Sequence, residues 1–280
     1  MTVLTEENYL GDVLKWELEN NQSVETITIA EGETLDLGAV VGKITKSTPT
    51  TGTAGGSNTG NGTCTAVTSG SGTKIGTYTL TCITAATNLG DFKVVDPDGF
   101  ALPDAVAETA YTNDQLNFII NDGATDYAVG DIFTITVAAG SDEIVEIEFA
   151  AVDGSEDAYG VLIADYSNAA KTNWAVATAY ALHDIVVPTT SNSHMYKCVS
   201  AGTSHAATEP TWPTDGSEVV DATCTWVDQG LIPAVEGVAI VRDAQVVEEN
   251  LVWPTGATAD QKAAAMVQLK AKSIVTRKEV

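Results

Sequence analysis

From Val238 to Val247 the β-branched residues fall in loose alternation, which predicts a hairpin of half-buried strands. Trp253-Pro254 ends that extended stretch, because proline fixes its own φ and biases the residue before it away from helix. Thr258 with Gln261 three positions on is a capping box that opens a helix. Along it Ala259, Ala263, Met266, Val267 and Ile274 fall near one face, with Lys262 and Lys272 away from it. A short strand at 273–276 closes the chain. At the other end Leu14, Trp16 and Leu18 alternate with Val13, Lys15 and Glu17, which predicts a strand over 12–18 whose apolar face needs a partner surface. Thr26 to Ala30 and the run 35–44 predict two more strands on either side of the turn Glu31-Gly32-Glu33.

The middle of the chain changes texture twice. Residues 46–63 are rich in Ser, Thr, Gly and Asn and predict a flexible connector. Short strands are then expected at 64–68, 76–83, 91–95, 115–120 and 131–137, separated by the turn signals SGSG, DPDG and NDGATD. That spacing predicts a small Ig-like β-sandwich. Strand patterns resume at 143–151 and 158–170. From Trp174 to Leu231 the chain then concentrates Trp174, Trp212, Trp226, Tyr180, Tyr196 and all three histidines.

The motif EENLVWP-x(3)-T-x(2)-QK-x(2)-A, ending in SIV, resembles the C-terminal half of the lambda-type phage head decoration (capsid cement) proteins. The segments TITIAEGETLDLGAVVGKIT and DGSE-x-AYGVLIAD resemble earlier parts of the same family. The order W-x(5)-Y-x(3)-D-x-V, MYKC, TEPTWPT, CTWVDQG resembles small carbohydrate-binding (chitin-binding-like) modules. Together these imply a mainly β fold with one short C-terminal helix. A discontinuous decoration core (1–46, 142–170 and 233–280) would carry an inserted β-sandwich at 47–141 and a small β module at 171–232. Loop tips are where insertion is tolerated.

Composition narrows the partners. Thirty-eight acidic residues against 13 basic ones give −25 over 280 residues, which repels phosphate backbones and argues against nucleic acid. No apolar run is long enough for a membrane span, and MTVLTEENYLGDVLKWELENN lacks the build of a secretory signal, so synthesis in the host cytoplasm is expected. Four cysteines do not make a disulfide scaffold. Folding the chain about Thr73 would set Cys64 opposite Cys82, and a second strand pair would bring Cys198 to Cys224. Bridges formed after virion release and buried free thiols are both open readings. Gly70-Ser71-Gly72-Thr73-Lys74 lacks the phosphate-loop pattern and reads as a turn. Asp96-Pro97-Asp98-Gly99 lacks the rest of a calcium loop. His194, Cys198, His205 and Cys224 fit no common zinc spacing, and no nucleophile elbow is present. No cofactor, metal or enzymatic activity is expected.

The resemblance implies a homotrimer on the outer surface of the expanded phage head, bracing the major capsid protein lattice. In the family the N-terminal arm joins the capsid by strand addition, a role that the stripe at Val13, Leu14, Trp16 and Leu18 fits; an ordinary edge strand of the core is the plain alternative. Tyr180, Tyr196 and Trp212 are the candidates for stacking on host or environmental glycans, against core filling, with Trp174 and Trp226 assigned to the core. A carbohydrate-adhesion protein and a tail or baseplate component are the competing classes.

Overall fold

The computed structural model describes residues 9–19 and 22–278, and it is mainly β. Its helices are the single turn α1 (Leu10–Val13), the 3-10 turn Glu248–Asn250 and α2 (Ala259–Ala271). Contacts divide the chain into two units. One comprises 1–25, 37–163 and 238–280, the other 26–36 and 164–237.

In the first unit, Val40–Lys43 pairs antiparallel with both Ile144–Glu146 and Gly160–Leu162, and the latter pairs with Val235–Ile240. With Val24–Ile29, along which the chain passes from the first unit to the second, these strands form a closed five-stranded barrel. Gly42 is required by close packing, since a Cβ there would sit 2.1 Å from the carbonyl oxygen of Ser155. A second sheet of three strands has Ala244–Val247 at its centre, antiparallel to Leu14–Glu17 and parallel to Ile274–Arg277. The expected hairpin over 238–247 is therefore not formed. Its two halves turn at Asp243, with φ of 44°, and enter different sheets.

Helix α2 begins as the capping box requires: Gln261 N donates to Thr258 Oγ1 at 3.3 Å and Thr258 N to Gln261 Oε1 at 2.9 Å. Its buried face is Ala265 and Leu269, packed with Val13, Val40, Val161, Val246 and Ile274. The face expected from sequence is displaced: Ala259, Ala263 and Val267 are exposed.

Also in this unit, residues 53–137 form two sheets around one core. Three strands (Ala110–Thr112, Leu116–Asn121, Thr63–Ser69) make one sheet. Five (Thr53–Ala54, Ile132–Val137, Gly76–Ala86, Leu89–Val95, Ala105–Val106) make the other. Alternate residues Tyr78, Leu80 and Cys82 meet Phe133, Ile135 and Val137 and Leu116, Phe118 and Ile120 in the shared interior. The Ser/Thr/Gly stretch before it is pinned, not loose. Thr53–Ala54 pairs with Phe133 and Thr134, and the buried Asp131 carboxylate accepts from Thr59 N and Gly60 N, both at 2.8 Å.

In the second unit, Thr34–Leu35 pairs with Tyr166–Ser167, and a four-stranded sheet runs Ile185–Val186, His194–Ser200, Cys224–Leu231, Glu218–Asp221. Trp174, Tyr180, Val186, Tyr196, Cys198, Cys224 and Trp226 form its core.

Candidate functional site

The N-terminal segment is held from beneath and open outward. Val13 is fully buried, and an added Cβ at Gly38, whose φ is +89°, would touch Val13 Cγ2 at 3.1 Å. Tyr9 N donates to Asp12 Oδ2 at 2.9 Å, which closes α1, and Asn250 Nδ2 donates to Asp12 O at 3.0 Å. Farther along, Leu18 N donates to Ser23 Oγ at 2.9 Å, and Ser23 Oγ donates to Asp243 O at 2.7 Å. Both ends of the segment are thus tied to the C-terminal part of the fold.

Leu14 faces Val246, but the register slips before Trp16, which faces Gln245. The irregularity breaks the two-residue alternation. Leu14 packs against the core with Val13, whereas Trp16 is exposed at 49 %, as are Tyr9 at 67 % and Leu10 at 45 %. Leu18 is half-buried. The four arm candidates therefore do not share one free face. Val13 and Leu14 serve the chain's own core, and Trp16 projects outward from an edge strand.

The aromatic candidates lie inward. Tyr196 is fully buried, its hydroxyl donating to Pro213 O at 2.7 Å and accepting from Asn192 Nδ2 at 2.7 Å. Tyr180 is buried, its ring 4.8 Å edge-on to Trp226, its hydroxyl accepting from Ala175 N at 2.8 Å. Trp212 is half-buried against Tyr196 at 4.3 Å, with Nε1 donating to Glu209 Oε1 at 2.8 Å. The expectation of exposed tyrosine platforms is corrected: both hydroxyls find internal partners, so the rings complete a thin core.

Sequence reasoning missed the hub of this core. Asp221 is buried and accepts from Trp174 Nε1 at 2.7 Å, Trp226 Nε1 at 3.2 Å and His205 N at 2.8 Å. Nearby, burial pushes the Asp228 carboxyl up, but hydrogen bonds from His194, Gly230 and Gly216 outweigh it and hold it below its ordinary value. Asp221 lies between Trp174 and Trp226 in sequence, but so do Asp184, Glu209, Asp215 and Glu218, and nothing in the sequence singles it out.

All four cysteines are buried free thiols. Cys64 stands opposite Ile120 and Cys82 opposite Phe92, in different sheets, so the two do not face each other across a hairpin. Cys198 stands opposite Trp226, two residues along from Cys224, which makes the second pair diagonal neighbours in one core. Burial pushes the Cys64 thiol up to about 12 and the Cys224 thiol to about 11, and raises Cys82 and Cys198. Such thiols are poor nucleophiles at neutral pH. Among the described residues no group of three or more His, Cys, Asp or Glu side chains is placed to hold a metal ion. His194 instead bonds Asp228 at 2.8 Å, and the His205 ring accepts from Thr208 N at 3.1 Å.

A family model described as Bacteriophage lambda head decoration protein D matches residues 3–183 and 189–274. No curated protein matches. Among solved structures, two crystal forms of Xanthomonas campestris FlgL share 17 % and 16 % identity, each with a TM-score of 0.26. Those alignments cover 39 % of this chain and 34 % and 33 % of theirs. The flagellar hook junction protein FlgK from Burkholderia pseudomallei shares 14 % identity at a TM-score of 0.28, covering 86 % of this chain and 51 % of its own. The chain thus spans between a third and a half of those flagellar proteins, and so low a structural likeness carries no argument.

Proposed function

The chain belongs to the bacteriophage lambda head decoration protein D family, and from that premise we propose that it trimerises on the outer surface of the expanded head and stabilises the major capsid protein lattice. As a head decoration protein it is a structural component of the virion. Each trimer would make several modest contacts to neighbouring capsid subunits, and their simultaneous engagement gives tight binding.

The observation that carries the capsid contact is the exposure of three large apolar side chains of the N-terminal segment, Tyr9, Leu10 and Trp16, in a segment anchored by the buried Val13. A preorganised aromatic loses little conformational freedom on binding, which is why such residues dominate interfaces. Removing residues 1–20 would take out Val13 and the strand Leu14–Glu17 and so damage the core. The point substitution Trp16→Ala tests the contact instead. It should weaken binding to expanded heads by about 10–100-fold, in the range of an interface hot spot, with the thermal midpoint unchanged. Undiminished binding would remove this segment from the mechanism.

The modular reading belongs to the same proposal. Lys46 bridges Ala139, and Ser47 N donates to Ala138 O at 2.9 Å, so the two ends of segment 47–141 lie side by side, as an insertion at one turn requires. For segment 171–232, a Cβ on Gly237 would sit 3.0 Å from the Tyr166 ring, which brings the flanking chain on its two sides together. Glycan adhesion has no support from Tyr180, Tyr196 and Trp212, whose polar groups are engaged internally.

A further inference from the structure

An aspartate followed by glycine can close on itself, because glycine has no Cβ to obstruct its own nitrogen as that nitrogen approaches the aspartate side chain. The chain holds four such dipeptides, Asp98-Gly99, Asp122-Gly123, Asp153-Gly154 and Asp215-Gly216, and one Asn-Gly at Asn61-Gly62. Hydrogen bonds restrain all but one of the five. Gly99 N donates to Asp96 O at 3.0 Å, and Asp98 Oδ2 accepts from Lys74 Nζ at 2.7 Å. Gly154 N donates to Glu156 Oε2 at 2.7 Å, and Asp153 Oδ1 accepts from Ser155 N at 2.9 Å and Ser155 Oγ at 2.6 Å. Gly216 N donates to Asp228 Oδ2 at 3.0 Å, and Asp215 Oδ1 accepts from Ser217 N at 3.1 Å. At Asn61 the carboxamide oxygen accepts from Thr125 N at 2.9 Å.

Asp122-Gly123 lies in the loop between Leu116–Asn121 and Ile132–Val137 and differs at both reacting groups. Among the described residues no acceptor takes the Gly123 N–H, while the N–H of Asp122 itself is held by Glu108 Oε1 at 2.5 Å. Asp122 Oδ1 is buried without a hydrogen-bond partner. A buried carboxylate oxygen that receives no donor is costly, and closure to a neutral ring removes that cost. The glycine is fixed by packing, since a Cβ at 123 would sit 2.2 Å from Asn61 Oδ1, so the fold itself keeps the reactive dipeptide. Both residues are half-buried beside the exposed Ala124 and Thr125, within reach of water.

We infer that Asp122-Gly123 is a covalent modification site, at which the folded chain converts Asp122 to isoaspartate. Gly123 N bonds to Asp122 Cγ, the Cγ–OH bond breaks, and the hydroxyl leaves with the amide proton as water, giving a five-membered succinimide. Water then reopens the ring at either carbonyl. Opening at the backbone carbonyl of Asp122 leaves the main chain running through Cβ, one methylene longer than before. Water is the only co-reactant, and the reaction is independent of the capsid role proposed above.

Peptide mapping of the purified full-length chain, held folded at neutral pH and sampled over time, tests this. Isoaspartate blocks an aspartate-specific endoprotease without changing the mass, and the succinimide before it is lighter by one water. The expected result is loss of cleavage at Asp122, preceded by the one-water deficit on its peptide, well ahead of any change at Asp98, Asp153 or Asp215. In urea, where the hydrogen bonds that separate the four sites are gone, all four should convert at similar rates. Asp122→Glu, whose ring would have six members and closes more slowly, should show no water deficit, with its thermal midpoint unchanged. Equal conversion of the four aspartates in the folded chain would overturn the site. So would an Asp122 that is still unmodified in the folded chain when the unfolded chain has converted.

Discussion

Asp221 does for the second unit what no apolar residue could: one buried carboxylate receives two indole N–H groups and a backbone N–H. Asp221→Ala orphans these donors, at about 1–3 kcal/mol for each that stays buried. The loss should be about 2–5 kcal/mol, seen in denaturant unfolding followed by tryptophan fluorescence, while Asp221→Asn should lose less. Three other aspartates set a pH limit. Lys74 beside Asp96 holds that carboxyl down, and at Asp131 backbone N–H groups of Ala128, Thr59 and Gly60 outweigh the upward push of burial. Asp228 is depressed in the same way. A depressed carboxyl stabilises the fold above its unfolded value of about 3.9 and loses that contribution as pH falls toward its folded value. Stability should therefore fall with pH below about 4, and Asp131→Asn, which has no proton to gain, should show a shallower fall. A midpoint in urea that rises on acidification through that range would contradict the assignment. At this scale sequence was least informative. Tyr180 and Tyr196 looked like exposed rings because nothing local reveals that Ala175 N and Pro213 O stand ready to satisfy their hydroxyls.

Elements with strong periodicity were legible. The alternation of Tyr78, Leu80 and Cys82, and of Phe133, Ile135 and Val137, marks strands with one buried face, and both form. Thr258 and Gln261 mark the start of α2, which forms where expected. Two- and three-residue strands such as Thr53–Ala54 and Ala105–Val106 are too short to show a period. The buried face of α2 was misread because alanine occupies every side of it, so composition alone marks no face. Pairing across Thr73 failed for a topological reason: in a sandwich, neighbours in sequence can cross between sheets, and Thr63–Ser69 and Gly76–Ala86 do. Leu269→Ala, at the fully buried end of α2, should cost about 2–5 kcal/mol. Thr258→Ala should cost about 1 kcal/mol, the usual worth of a cap. Equal effects of the two in thermal unfolding would show that α2 is held by its own hydrogen bonds more than by the core beneath it.

For the molecule as a whole, the chain order of motifs carried more than any periodicity, since one fold is interrupted and resumed. Val40–Lys43 pairs with Ile144–Glu146 across almost a hundred intervening residues, a pairing that local patterns cannot show and that the family motifs on either side imply. Replacing 47–141 with a short Gly/Ser turn would leave those strands as a hairpin. The shortened chain should still unfold cooperatively, and loss of its cooperative transition in calorimetry would make the sandwich a structural part of the core. The charge of −25 makes copies of the chain repel one another in solution. The central claim, a decoration protein that trimerises on the mature lattice, is tested most directly by cosedimentation of the purified chain with expanded and with unexpanded heads, counting bound copies at saturation. Saturable binding to expanded heads alone, with copies in threes at each site, is the predicted result; equal binding to both kinds of head, or none to either, would contradict it.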